Sequence, residues 1–219
     1  MIKRIPLWLF LCLCAAAVVA CSQTGNELLP CNENGALFRD DFSDGRNCGW
    51  ATYERSGGKV EIANGLLTVT SSQPNQIWWT NPGKEWENVT VRVQARQAGG
   101  PDDNAFGLIC RYQNEQNFYL FLVSGDGYYV IAKYQSGSAV QYISGNGQFQ
   151  YSDAINQGVA PNDLEASCIA NQLSLRVNGI LVATVTDPTF VQGDVGLGAS
   201  PLEPGTTVIE FDDFVVMAP

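Results

Sequence analysis

The feature that most constrains this chain is its punctuation. From about residue 37 onward, short runs of alternating apolar and polar residues are broken by Gly, Asn, Asp and Pro, with almost no stretch of helical period. Candidate strands fall at 37–42, 59–63, 66–71, 76–80, 88–97, 104–112, 117–124, 128–135, 139–143, 163–170, 173–178, 180–186, 194–199 and 207–217. Strands this short each have a face that must be covered, so the expected fold is all-β, a two-sheet antiparallel jelly-roll sandwich. Asn178-Gly179, between LSLRV and ILVATV, is the strongest hairpin signal, because both positions tolerate the positive φ of a type I′ turn.

The first twenty residues read differently. Lys3 and Arg4 precede PLWLFLCLCAAAVVA, an uninterrupted apolar stretch of signal-peptide length that is too short to span a membrane comfortably. Val18-Val19-Ala20-Cys21 follows and resembles the lipobox of bacterial lipoproteins. That resemblance implies cleavage before Cys21 and a diacylglycerol group on its thiol. The expected organisation is a signal peptide over 1–20, a lipidated Cys21 with a short polar tether to residue 35, and one domain over 36–219. No apolar run within that domain approaches a membrane span, so lipid is the expected anchor. The expected location is the cell envelope, facing outside the cytoplasm.

Composition narrows the partners. Removing Lys3 and Arg4 with the signal leaves 10 basic against 22 acidic side chains, a net charge of −12. Such a chain opposes phosphate backbones, and nucleic acid is not an expected partner. Cys12 and Cys14 leave with the signal and Cys21 is used for lipid, so Cys31, Cys48, Cys110 and Cys168 remain. In an exported chain these suggest two disulfides, with three possible connectivities. Alternation puts Cys168 on one face with Leu164, Ala166 and Ala170, and it turns Cys110 toward the core as well. The favoured pairs are therefore Cys110 with Cys168 and Cys31 with Cys48. Without histidine or a CxxC pair, a zinc site of the usual kind is excluded.

Several segments together carry a family resemblance: LFRDDFSD, Cys48-Gly49-Trp50, NGLLTV, NAFGLICRYQNEQNFYLFLVSGDGYYVIAKY, LSLRVNGILVATV, GDVGLGA and VIEFDDFVV. They resemble concanavalin A-like jelly rolls, in particular laminin G-like and 3-keto-disaccharide hydrolase-type domains. The resemblance covers nearly all of 37–217 and implies a scaffold shared by lectins, glycan-binding modules, adhesion domains and glycosidases, so the fold alone decides little. It also implies a ligand face on the concave sheet, turned away from the core.

With QNEQN as a loop, Arg111 faces Tyr119 and Cys110 faces Leu120. With GDG as the next loop, Tyr119 faces Lys133. Leu108, Cys110, Leu120, Leu122, Val130 and Ala132 then form the core face, and Arg111, Tyr119 and Lys133 form an exposed row on the other. That row offers hydrogen-bond donors to a sugar or carboxylate beside apolar surface. Of the consecutive Trp78 and Trp79 at most one can point into the core, and Trp79 is the candidate for stacking on a ligand, whereas Trp50 is expected to pack structurally.

Asp40-Asp41 and Asp212-Asp213 lie near strands that pair in many jelly rolls. Laminarinase-type glucanases of this fold hold a structural calcium at such a place, which makes Asp41 and Asp212 candidate ligands. No Glu-x-Asp-x-x-Glu strand, histidine or Gly-x-Ser-x-Gly elbow is present, although Glu115, Asp126 and Asp153 could assemble in space. The leading expectation is a non-catalytic module that binds glycan or another surface ligand. The alternatives are a glycoside-processing hydrolase and an adhesion or structural domain.

Overall fold

The computed structural model describes Cys31, residues 35–43 and residues 45–219. The signal, the lipobox with Cys21, and Asp44 lie outside the described residues. In chain order come β1 (Phe38–Asp40), β2 (Tyr53–Arg55), β3 (Gly58–Ala63), β4 (Leu66–Ser71) and β5 (Trp78–Thr80). The long strands β6 (Val89–Gly99) and β7 (Asn104–Asn114) follow, then β8 (Asn117–Val123), β9 (Tyr128–Gln135), β10 (Gln141–Tyr142) and β11 (Gln150–Tyr151). The last are β12 (Asn162–Ile169), β13 (Gln172–Val177), β14 (Ile180–Thr186), β15 (Asp194–Pro201) and β16 (Thr207–Met217). The described residues contain no helix, hence none long and apolar enough to cross a membrane.

Two antiparallel sheets form. The larger runs β14-β13-β12-β6-β16-β4-β3-β2, with β1 also paired to β16, and the smaller runs β10-β9-β8-β7-β15-β5, with β11 on β9. The fold is thus the expected all-β sandwich. Each expected strand is present, while β2 and β11 were not anticipated, because two or three residues are too few to show an alternation. Asn178 and Gly179 both take positive φ, 51° and 81°, and join Val177 to Ile180 as the hairpin signal required.

The core lies between the sheets. Val89, Val91, Val93 and Ala95 of β6 and Leu164, Ala166 and Cys168 of β12 meet Leu108 and Cys110 of β7 and Val195, Leu197 and Ala199 of β15. Both favoured disulfides are present, Cys31–Cys48 with Cα atoms 6.0 Å apart and Cys110–Cys168 with Cα atoms 6.8 Å apart. The second joins the smaller sheet to the larger through β7 and β12. Trp50 is buried, as expected, against Phe38, Phe42 and Phe214, and its indole N–H donates to Asp40 at 2.9 Å.

The expected register fails at one residue. Arg111 adopts φ 53°, in the left-handed region, and the β7–β8 pairing shifts beyond Cys110. Cys110 therefore faces Tyr119 instead of Leu120, and Ile109 faces Leu120. The β8–β9 register is the expected one, with Tyr119 opposite Lys133. A one-residue slip exchanges the faces of every residue beyond it. On β8 and β9 the core side is consequently Tyr119, Phe121, Ile131 and Lys133, while Leu120, Leu122, Val130 and Ala132 turn outward.

Candidate functional site

The exposed row expected of Arg111, Tyr119 and Lys133 does not exist. These residues do lie side by side, but they point between the sheets and are 1%, 0% and 8% exposed. The loop between β14 and β15 partners all three, and Arg111 also reaches the β12–β13 turn and the segment before β6. The Tyr119 hydroxyl donates to Asp187 at 2.7 Å and accepts the Phe190 N–H at 3.0 Å. Lys133 donates to Asp187 and to the Thr189 hydroxyl, both at 2.8 Å. Arg111 donates to the Phe190 and Ala170 carbonyls at 2.7 Å and to the Glu87 carbonyl at 3.4 Å. Burial pushes the Tyr119 hydroxyl up to about 12, and the charge on Asp187 adds to the rise. Carbonyl oxygens from three separate loops pair both terminal nitrogens of the guanidinium and leave its buried Nε–H unpaired, so backbone acceptors and not an adjacent carboxylate hold it inside. The row is a clamp on loops and has no surface left for a ligand.

The outward face of the smaller sheet is also not the polar face expected. Ala105, Ile109, Phe118, Leu120, Leu122, Val130 and Ala132 form a second apolar cluster there, with Ile77, Phe149 and Leu202 packed onto it from loops. Along one side of this face runs an aromatic ribbon. The rings of Trp79 and Phe118 lie 5.6 Å apart, those of Tyr112 and Phe118 5.5 Å, and those of Phe118 and Tyr134 5.5 Å. Phe118 is buried in its middle, while Trp79, Tyr112 and Tyr134 remain half-buried.

The ribbon opens at its Trp79 end into a cavity of about 550 Å³, lined by Tyr53, Arg55, Trp79, Asn81, Tyr112, Glu115 and Asp194 among others. Strand alternation explains why Trp79 is available, since Trp78 takes the inward direction. Gly58 makes room for Trp78, and a Cβ there would stand 2.2 Å from the indole. Tyr53 fixes the backbone of Trp79 by donating to its carbonyl at 2.7 Å and accepting its N–H at 3.2 Å. Asp194 anchors the opposite wall, accepting the Gly83 N–H and the Val195 N–H, each at 2.8 Å. Burial raises the Asp194 carboxyl to about 6 despite these donors. Burial likewise raises the Tyr53 and Tyr112 phenols. Aromatic rings beside a cation, an amide and carboxylates are the groups that hold a polyhydroxylated ligand by stacking and hydrogen bonds.

Trp79 is the one expected ligand residue that reaches this cavity. Tyr53 and Arg55 were missed because β2 showed no pattern, and Tyr112 because the slip at Arg111 conceals its direction. Asp194 had no sequence signal beyond its place at the start of a strand. Of the carboxylates that could have assembled, only Glu115 arrives. Asp126 lies beyond the far end of β8, accepting the Ser124 hydroxyl, and Asp153 interacts with Tyr151.

The pairing of β1 with β16 does bring Asp41 near Asp212, whose carboxyl is raised by burial and by the charges of Asp213 and Asp41. Asp41, however, accepts the Ser43 hydroxyl at 2.7 Å and the Ser43 N–H at 3.1 Å, and Asp213 pairs with Arg39 at 3.3 Å. Among the described residues no group of three or more metal-ligating side chains converges, and Asp44, next to the expected calcium site, lies outside the described residues.

By sequence the chain matches no protein-family model and no curated protein. Solved structures do resemble it. Carbohydrate-binding module CBM66 from Bacillus subtilis superposes with a TM-score of 0.60 at 15% identity, over 78% of this chain and 96% of that one. A Bacillus subtilis protein of unknown function with a galectin-like fold gives 0.60 at 11% identity, over 85% and 97%. The GH43 protein BlXynB from Bacillus licheniformis gives 0.63 at 14% identity, over 86% of this chain but 40% of that one. At such identities the likeness defines the class by fold: a galectin-like jelly-roll sandwich of the concanavalin A-like kind.

Proposed function

We propose that this protein is a lipid-anchored, extracytoplasmic glycan-binding module without catalytic activity, and that sugar occupies the cavity beside Trp79. The observation that carries this reading is the half-buried pair Trp79 and Tyr112 in an open cavity, with Arg55, Asn81 and Glu115 around it. Stacking on the rings supplies apolar contact, and the polar groups fix orientation. The shared fold with a carbohydrate-binding module supports the same reading.

Probing a glycan array with the wild type and with Trp79→Ala tests it. A buried aromatic anchor contributes about 2 kcal/mol or more, so the variant should lose at least about tenfold in affinity. Retention of no glycan by the wild type, or undiminished binding by the variant, would refute the assignment. A hydrolase reading draws on one observation, that Glu115 and an Asp194 carboxyl held near 6 line the same cavity. Release of reducing ends from a retained glycan would establish that alternative.

The anchor is tested separately. In cells fed a labelled fatty acid, the wild type should carry label and Cys21→Ala should not. An unlabelled wild type would exclude the lipoprotein reading.

A further inference from the structure

We infer that the site takes an uncharged, linear glycan chain across two adjoining subsites and not a single sugar unit. This rests on the glycan-binding reading of the Trp79 cavity. A second cavity of about 440 Å³ adjoins the first, and Gly83, Tyr112 and Asp194 line both. Each volume alone falls within the range of small-ligand sites, about 300–1,000 Å³. Gly83, shared by both linings, places no side chain between them. It takes φ 72°, and a Cβ there would meet nothing within 4 Å.

The two halves differ in chemistry. The first is aromatic. The second presents the side-chain amides of Gln113 and Gln192. The Gln192 side chain donates to Glu85 at 2.6 Å, and the Gln113 side chain donates to the backbone carbonyl of Gln192 at 3.4 Å. Each amide keeps one N–H and its own carbonyl oxygen for a ligand, a donor and an acceptor apiece. Hydroxyl groups, which both donate and accept, match that set. A ring stacked at Trp79 would therefore place its neighbour over Tyr112, within reach of the glutamines.

Charge selects the class of chain. Asp194, Glu85 and Glu115 outnumber Lys84 and Arg55 around the two cavities, and the chain carries a net charge of −10. An anionic polymer is repelled by that field, whereas a neutral one is not.

Titration calorimetry of the full chain in detergent tests this, using gluco-, xylo- and fructo-oligosaccharides of one to six units, with oligogalacturonates as the anionic comparison. For a neutral series that binds, affinity should rise at least tenfold with length until both cavities are filled, then level off. The double variant Gln113→Ala/Gln192→Ala should cut that gain at least fivefold, with thermal unfolding as the check that it folds. Affinity independent of length would overturn the two-subsite inference and leave the glycan-binding reading standing. Tighter binding of oligogalacturonates would overturn the uncharged class. Binding of none of these sugars, together with an empty glycan array, would overturn both readings.

Discussion

Replacing Asp187 by alanine should lower the unfolding free energy by about 3–5 kcal/mol, the usual cost of leaving one member of a buried ion pair alone. Lys133 and Asp187 have side chains only 10% and 13% exposed, and their oxygen and nitrogen lie 2.8 Å apart. The substitution also removes the acceptor of the Tyr119 hydroxyl and of the Thr189 N–H. Urea unfolding at neutral pH measures the loss, and a change below about 1 kcal/mol would mean that the loop carrying Asp187 adds little. The carboxyl gives the effect a pH signature. Burial acts to raise it, yet the donors Lys133, Thr189 and Tyr119 outweigh burial and hold it at about 2. A carboxyl below its unfolded value of 3.8 contributes stability above that pH and loses it as pH falls from 3.8 toward 2. Asp194 acts in the opposite sense. Raised to about 6, it costs stability above pH 6 and returns it as pH falls from 6 toward 3.8. These two groups alone place the stability maximum near pH 4. Asp187→Asn should remove the Asp187 part of the loss below that maximum, and Asp194→Asn should remove the Asp194 part of the decline above it.

Arg111→Ala is the second large effect, at about 3 kcal/mol. The Phe190 and Ala170 carbonyls each lose a donor at 2.7 Å, and an unpaired buried polar group costs about 1–3 kcal/mol. The lost packing of the aliphatic stem adds to this. Arg111→Met separates the two contributions, because it keeps most of the volume and removes every donor. Chemical denaturation of both variants is the measurement. Equal stability of the methionine variant and the wild type would show that packing alone matters at this position. Neither variant should reshape the Trp79 cavity directly, since the side chain lies between the sheets and does not line it.

That contrast marks how far the sequence could be read. The strand runs, the Asn178-Gly179 hairpin and both cysteine pairs follow from alternation and turn chemistry, which are local. The faces of β8 and β9 do not. They depend on one residue at φ 53°, and nothing about an arginine announces the left-handed region. From the slip onward, the polar row and the aliphatic row exchanged places, and the side chains expected to meet ligand became part of the interior. Asp187 lies 54 residues beyond Lys133, so the carboxylate that makes a buried lysine tolerable could not be paired with it from spacing. Trp79 was legible because two consecutive strand residues must diverge. Its neighbours in the cavity come from β2, β7 and β15, which only the assembled sheets bring together.

The order of strands bears on how the chain is made. Among the described residues β16 is the last strand to emerge during synthesis, yet it lies inside the larger sheet, flanked by β6 and β4 and also paired with β1. The pairs β3·β4 and β12·β13 are hairpins that can form locally, but the sheet holding them stays split until β16 inserts. Contacts between such distant segments are slow to form, because a long loop must close first. A chain with its closing strand at this point keeps the larger sheet in two unsealed halves until nearly all of the domain has been synthesised.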